Sequence, residues 1–172
     1  NYVQPDMPQG VEDGIIQGMY LLKSSTRNSQ LRVRLLGGGT VLREVEAAAA
    51  ILESDYQVAS DIYSLTSVNE LQREGRAVQR WNLLNPDQPP REAYVTRMLK
   101  DAGGPVVAAT DYLKLYADQI REFVPGRYTV LGTDGFGRSD TRTKLREFFE
   151  VSREYVVLAA LKALAERMRN RS

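Results

Sequence analysis

Glycine, acid and arginine alternate through Val130–Asp140, V-L-G-T-D-G-F-G-R-S-D, and this spacing permits more than one chemistry. Three glycines suit a tight loop at the carboxyl end of a strand, because glycine enters conformations closed to other residues. Asp134 offers a carboxylate. Arg138 offers a planar fork that matches a carboxylate or a phosphate. Gly37-Gly38-Gly39-Thr40 forms a second candidate between a strand pattern and a helix pattern, where backbone amides can hold a phosphate. Asp111 and Asp134 form a third, since both follow strands, and open α/β sheets bind ligands outside the carboxyl ends of their strands.

Each candidate also has a plainer reading. A dinucleotide fingerprint on the first glycine run needs glycine at 37, 39 and 42, but position 42 is Leu42. The acid that should end the next strand is replaced by Thr66, and no Gly-Lys-Ser/Thr follows. The run therefore reads as a tight turn with Thr40 near a helix start. Helix capping accounts for Asp111 and Asp134 separately, and Ser139 or Asp140 suits the cap of the following helix. Glu12, Asp13 and the remaining acids show no paired spacing for metal or glycosidase chemistry.

Composition narrows the classes further. The chain has no histidine and no cysteine. The usual general base near neutral pH is missing, along with thiolate sites and disulfides, which argues against a self-contained hydrolase or zinc enzyme and fits a cytoplasmic setting. A net charge of +1 recruits neither nucleic acid nor a membrane surface. No apolar run approaches the roughly 18 residues of a membrane span. Arg167, Arg169 and Arg171 read as a solvated helix end favoured by the dipole. The sequence thus offers no catalytic, cofactor-binding or metal-ligating residue.

The elements that must position these groups alternate in type. Residues 1–13 read as a polar arm and 14–172 as one domain. Strand patterns fall at Gly14–Leu22, Leu31–Leu36, Ala59–Thr66, Val106–Ala109 and Tyr128–Leu131. Val41, Val45, Ala48 and Leu52 share one helix face. Ser67-x-x-Glu70 is a capping box before the next helix. Asn85–Pro90 is a loop, and Glu92–Asp101 a short helix. Asp111 opens a helix with Leu113, Ala117, Ile120 and Val124 inward. Thr141–Phe149 is helical, and Glu154–Met168 turns Val157, Leu161, Leu164 and Met168 inward. Strand–helix alternation predicts an α/β three-layer sandwich with a mixed, mostly parallel five-stranded sheet. The turn after Gly14–Leu22 is too short for a parallel crossover, so that strand should be the antiparallel one.

Read together, these segments resemble a known family. The Val130–Asp140 stretch is similar to the G-x-D-x-F-G-x-S segment in the C-terminal domain of transketolase-like, thiamine-diphosphate-dependent enzymes. Gly14-Ile15-Ile16-Gln17-Gly18, Tyr63–Ser67, Glu70-Leu71, Arg80-Trp81-Asn82, Thr110-Asp111-Tyr112 and Tyr155-Val156-Val157 agree in the same order. The pattern most resembles the homodimeric bacterial pyruvate dehydrogenases. The resemblance implies a fragment of a larger subunit that decarboxylates pyruvate with thiamine diphosphate and magnesium. It implies that the subunit passes acetyl to a lipoyl group on dihydrolipoyl acetyltransferase. It also implies that cofactor and catalytic groups lie in other domains, because Thr133 splits the Gly-Asp pair a magnesium–diphosphate motif needs and its asparagine is missing. This domain's role would be architectural, with the rest of the subunit and a second subunit as partners. Trp81, Asp134, Phe136 and Arg138 are the candidate interface residues. Transketolase itself, another 2-oxoacid dehydrogenase, or a stand-alone flavodoxin-like anion-binding module remain as alternatives.

Overall fold

A run of apolar and small residues on the central strand dictates two buried faces, and the fold supplies cover for both. In chain order the elements are α1 (Glu12–Gln17), β1 (Met19–Lys23), β2 (Arg32–Gly38), α2 (Leu42–Asp55), β3 (Ala59–Leu65), α3 (Val68–Leu84), α4 (Tyr94–Leu99), β4 (Val106–Ala109), α5 (Lys114–Asp118), β5 (Tyr128–Leu131), α6 (Arg142–Phe148) and α7 (Arg153–Arg169). These come from a computed structural model that describes residues 6–101 and 103–170. The first five residues of the arm and Arg171 lie outside that range.

The sheet is mixed and five-stranded, in the order β1-β3-β2-β4-β5. β1 runs antiparallel to β3, and the other pairings are parallel. Val33 and Leu35 face a core that α2 and α7 close with Val45, Leu52, Val156 and Ala160. Leu36, Tyr63 and Leu65 face a second core closed by α3, α4 and α5 through Leu71, Val95, Leu99 and Ala117. The architecture is the expected three-layer α/β sandwich.

Four local expectations need correction. Gly14–Leu22 is not one strand, because its first half belongs to α1. Glu12 and Asp13 suit a helix start, and Gly18 at φ 106° terminates it by giving its N–H to Gly14 O. The break after Leu31–Leu36 comes late: Gly37 and Gly38 stay in β2, and only Gly39 turns away, at φ 59°. Asp111 does not open a long helix. α5 is five residues, a 3-10 turn follows at Arg121–Phe123, and Leu113 is 52% exposed while Ala117, Ile120 and Val124 are buried. On α7 the buried stripe is Val156, Val157, Ala160, Ala163 and Leu164, with Met168 exposed and Leu161 only partly covered. α2 and α7 pack on each other, with Ala48, Ala49 and Ala160 in their shared core.

The capping box before α3 forms only in part. Ser67 Oγ accepts the Glu70 N–H at 3.2 Å, but Glu70's carboxylate turns to Arg73 and the Ser67 N–H donates to Gly18 O. α6 takes its cap from Thr141, whose Oγ accepts the Lys144 N–H, and not from Ser139 or Asp140. Asp140 instead accepts the Thr141 N–H at 2.7 Å.

Candidate functional site at the carboxyl ends of the strands

The chain leaves β2 for β3 on one side and then crosses to β4 on the other. The carboxyl ends of β2 and β4 are therefore a topological switch point, where open α/β sheets form a crevice. Gly37–Thr40, Asp111 and the Val130–Asp140 loop all meet there.

The glycine run does not offer an open anion cradle. Asp111 Oδ2 accepts the Thr40 N–H at 3.4 Å and the Thr40 hydroxyl at 3.3 Å. A Cβ at Gly39 would lie 2.5 Å from the Asp111 carboxylate. The acid thus fills, from the neighbouring strand, the place a phosphate would take over these amides. This argues against the stand-alone anion-binding alternative at Gly37–Thr40.

Asp134 has a similar task. Its Oδ1 accepts the Lys114 N–H at 2.9 Å, the first amide of α5, and its Oδ2 lies 3.6 Å from Lys114 Nζ. Thr133 donates its N–H to Tyr112 O and its hydroxyl to Asp111 O, both at 2.8 Å. The β4–α5 and β5–α6 loops are therefore stitched into one unit. Asp134, the acid of the Gly132–Gly135 stretch, has spent its carboxylate on Lys114. Among the described residues no group of three or more His, Cys, Asp or Glu could hold a metal ion. These residues do not fit magnesium or thiamine diphosphate.

The stitched loops carry exposed apolar groups. Phe136 is 96% exposed and Leu115 75%, with Tyr112 and Leu113 more than half exposed. Tyr112 packs on Tyr116 with ring centroids 4.7 Å apart, which leaves Leu113 and Leu115 facing outward. The inward helical pattern drawn through Leu113 hid these leucines from sequence reasoning. Arg138 lies 3.9 Å over the Phe148 ring. Trp81 is not brought to this end. It sits on α3 about 20 Å along the helix axis from the Ser67 cap, with Arg91 stacked 3.7 Å over its ring. Asn82 clamps the same loop through its side-chain amide, whose Nδ2 donates to Arg91 O and whose Oδ1 accepts the Arg91 N–H.

Beneath the Val130–Asp140 loop lies a crevice of about 440 Å³, lined by Thr40, Asp111, Thr133, Arg138, Arg142 and Arg146 among others. Behind it Glu44 on α2 is buried. Glu44 receives Arg146 at 2.6 Å, and the Nε and backbone N–H of Arg153 at 2.9 and 3.1 Å. Burial alone would raise the Glu44 pKa. The two hydrogen bonds from Arg153, with the charges of Arg153 and Arg146, outweigh burial and hold it below the ordinary carboxylate value. Sequence reasoning missed this group, which has no signature at the level of spacing.

Comparison with known proteins agrees with this geometry. Residues 18–152 match the transketolase-like TK C-terminal domain. The chain is 59% identical, over 97% of its length, to the pyruvate dehydrogenase E1 component of Pseudomonas aeruginosa, and 52% identical over the same share to that of Escherichia coli K12. It spans 19% of each of those proteins and aligns with their C-terminal region. Among solved structures, transketolase from Leishmania mexicana superposes with a TM-score of 0.60 at 20% identity, covering 92% of this chain and 20% of that one. Transketolase from Campylobacter jejuni does so with a TM-score of 0.57 at 21% identity, covering 85% of this chain and 18% of that one. The chain belongs to the transketolase-like TK C-terminal domain family.

Proposed function

We propose that this chain is the architectural C-terminal domain of a homodimeric pyruvate dehydrogenase. The parent decarboxylates pyruvate with thiamine diphosphate and magnesium, then passes acetyl to a lipoyl group on dihydrolipoyl acetyltransferase in the cytoplasm. Residues 14–172 form the domain, and 1–13 lead into it from the rest of the subunit. The observation that carries this reading is identity above 50% to pyruvate dehydrogenase E1 components across nearly the whole chain, against about 20% to transketolases. That contrast favours pyruvate dehydrogenase over transketolase as the parent. The absence of histidine, the engagement of Asp111 and Asp134 as structural acceptors, and the lack of a metal-ligating cluster among the described residues support an architectural role. No described helix is long and apolar enough to cross a membrane.

The Val130–Asp140 loop is the proposed contact with the rest of the dimer. Phe136 supplies an exposed ring and Arg138 a charged fork, while Asp134 holds the loop to α5. Trp81 marks a second candidate contact at the far end of α3. In the full-length subunit, Phe136→Ala with Arg138→Ala should weaken dimerisation by about tenfold or more, the scale of losing an aromatic and arginine anchor. Sedimentation at low concentration reads this. A dimer as tight as the wild type would remove the loop from the interface.

The 172-residue chain alone, given pyruvate, thiamine diphosphate and magnesium, should release no carbon dioxide above the protein-free control. Calorimetric titration with thiamine diphosphate should show no saturable heat. Turnover that survives repurification would place catalytic groups in this domain and overturn the architectural role.

A further inference from the structure

α3 outgrows the core it packs on. Its buried residues are Val68, Leu71 and Gly75. A Cβ at Gly75 would lie 2.6 Å from the Phe123 ring, so the glycine lets the 3-10 turn close on the helix, and Gln79 donates to Glu122 there at 3.1 Å. Beyond Gln79 no residue of α3 is buried, yet the helix runs on to Leu84, about 8 Å further. A bare helix end frays, but this one is tied down. Asn85 Nδ2 donates to Trp81 O at 2.8 Å, Asn82 joins Arg91, and Arg91 stacks on Trp81. The loop after α3 thus stiffens a segment that the core does not need.

This segment presents a defined surface. Leu83 is 79% exposed and Leu84 61%. Arg76, Arg80, Leu83 and Leu84 fall at i, i+4, i+7 and i+8, so they share one helix face. Both arginines are exposed, and among the described residues no acid pairs with either. The acids around them are engaged elsewhere: Glu70 with Arg73, Glu74 with the Tyr94 N–H and Arg97, and Glu122 with Gln79. Tryptophan and arginine are the residues that anchor interfaces, and a stiffened anchor loses little freedom on binding. The surface that matches this face is an apolar groove with carboxylates about one helical turn, roughly 5 Å, along it.

We propose that the end of α3 docks into such a groove on the preceding part of its own subunit. The proposal rests on the reading of this chain as the C-terminal domain of a longer subunit. The chain spans 19% of the relatives it matches, so most of that subunit lies outside it. On that reading the rest of the subunit arrives on the α3 side of the sheet. Gly18 O accepts the N–H groups of Thr66 and Ser67 at the start of α3. Tyr94 gives its hydroxyl to Met19 O at 2.9 Å and its N–H to Glu74, in the middle of α3, at 2.8 Å. A tether at α1 and β1 therefore holds the preceding domain beside α3 at high effective concentration. A second copy of this domain does not suit the same face. Two α3 ends packed on each other would bring four unpaired arginines together, and like charges repel across an interface.

The test uses the full-length subunit with photoreactive benzoylphenylalanine in place of Leu84, irradiated and then separated under denaturing conditions. The product should have the mass of one subunit, and mass spectrometry should join residue 84 to an acid-containing peptide that precedes Asn1. Arg76→Glu with Arg80→Glu should lower the cross-link yield several-fold, while the 172-residue chain with the same two substitutions keeps its melting temperature. If that pair unsettles the chain, Arg80→Gln alone decides the matter, with a smaller loss of yield in the same direction. Three results overturn the proposal: no cross-link, a product with the mass of two subunits, or a yield that the arginine substitutions leave unchanged. The second would give the end of α3 to the partner subunit. Pyruvate decarboxylation by the same preparation tests the identity of the parent separately, so a failed contact and a failed reading are told apart.

Discussion

Glu44→Ala should destabilise the chain by about 3 kcal/mol at neutral pH, a fall of roughly 6–12 °C in melting temperature for a domain of this size. The side chain is 6% exposed and joins three elements. It sits on α2, pairs with Arg146 on α6, and accepts both the side chain and the first amide of α7 at Arg153. Removing it leaves the start of α7 without that acceptor, and Ser152 at the N-cap makes no side-chain cap bond of its own. Arg153 is 45% exposed at its side chain and can turn to water, which keeps the loss below the upper range for a broken buried pair. Because the folded-state pKa of Glu44 lies below its ordinary value, its contribution is complete above the unfolded carboxylate pKa, about 4.3. It disappears as pH falls through the folded value. Urea unfolding of wild type and Glu44→Ala should therefore differ most at pH 7 and converge toward pH 3. A difference that stays constant across that range would show that packing, not the ionised carboxylate, sets the loss.

Glu44 belongs to a group of four carboxylates that explain which parts of the fold were legible in the sequence. A cap that lies in the helix's own sequence is a local signal: Ser67 before α3 is legible as one, and at α6 the cap is also local but falls on Thr141, one or two residues past the expected Ser139 or Asp140. The first amides of α4, α5 and α7 are instead accepted from a distance, by Glu74 for Tyr94, Asp134 for Lys114 and Glu44 for Arg153. Asp111 does the same for Thr40 at the 3-10 turn after β2. A negative charge at a helix start is favourable wherever in the chain it comes from, so local spacing does not reveal it. Asp111, expected to open the helix that follows it, instead serves an earlier turn, and Asp134, expected as a helix cap, serves the earlier helix α5. The alternation of strands and helices was legible because apolar periodicity is a local property. So was the antiparallel strand, since the chain after it is too short for a crossover. The crevice was not, because Arg138, Arg142 and Arg146 meet Thr40 and Asp111 only through the parallel pairing of β2, β4 and β5.

Arg34→Met should destabilise the chain by about 3 kcal/mol or more, although the new side chain matches the buried stem in length. Arg34 lies in the middle of the sheet on β2, 3% exposed, on the face that carries Leu36. Burial lowers its pKa, but an arginine starts so high that it stays charged at neutral pH. Its guanidinium donates to the carbonyls of Leu99 at the end of α4, Gly104 in the following loop, and Pro125 before β5 at 3.3 Å. One side chain thus holds three segments against the amino end of the parallel strands. Two effects compete on replacement. Methionine removes the cost of burying a charge whose Nε has no partner, which favours the variant. It also strands three carbonyl groups that each lose a charged donor, at a buried contact for Leu99 and at partly buried ones for Gly104 and Pro125. Losses of that kind run to about 1–3 kcal/mol apiece where the site is dry, so the stranded carbonyls outweigh the relief. Arg34→Lys should fall between, because one ammonium cannot span three acceptors set around a planar fork. Hydrogen exchange should accelerate at Val106, whose amide bonds Arg127 O beside the clamp, more than at Leu52 or Ala160 in the opposite core. Equal acceleration in both cores would mean that the variant only lowers global stability, and full protection at Val106 would mean that the clamp does not hold β4 in place.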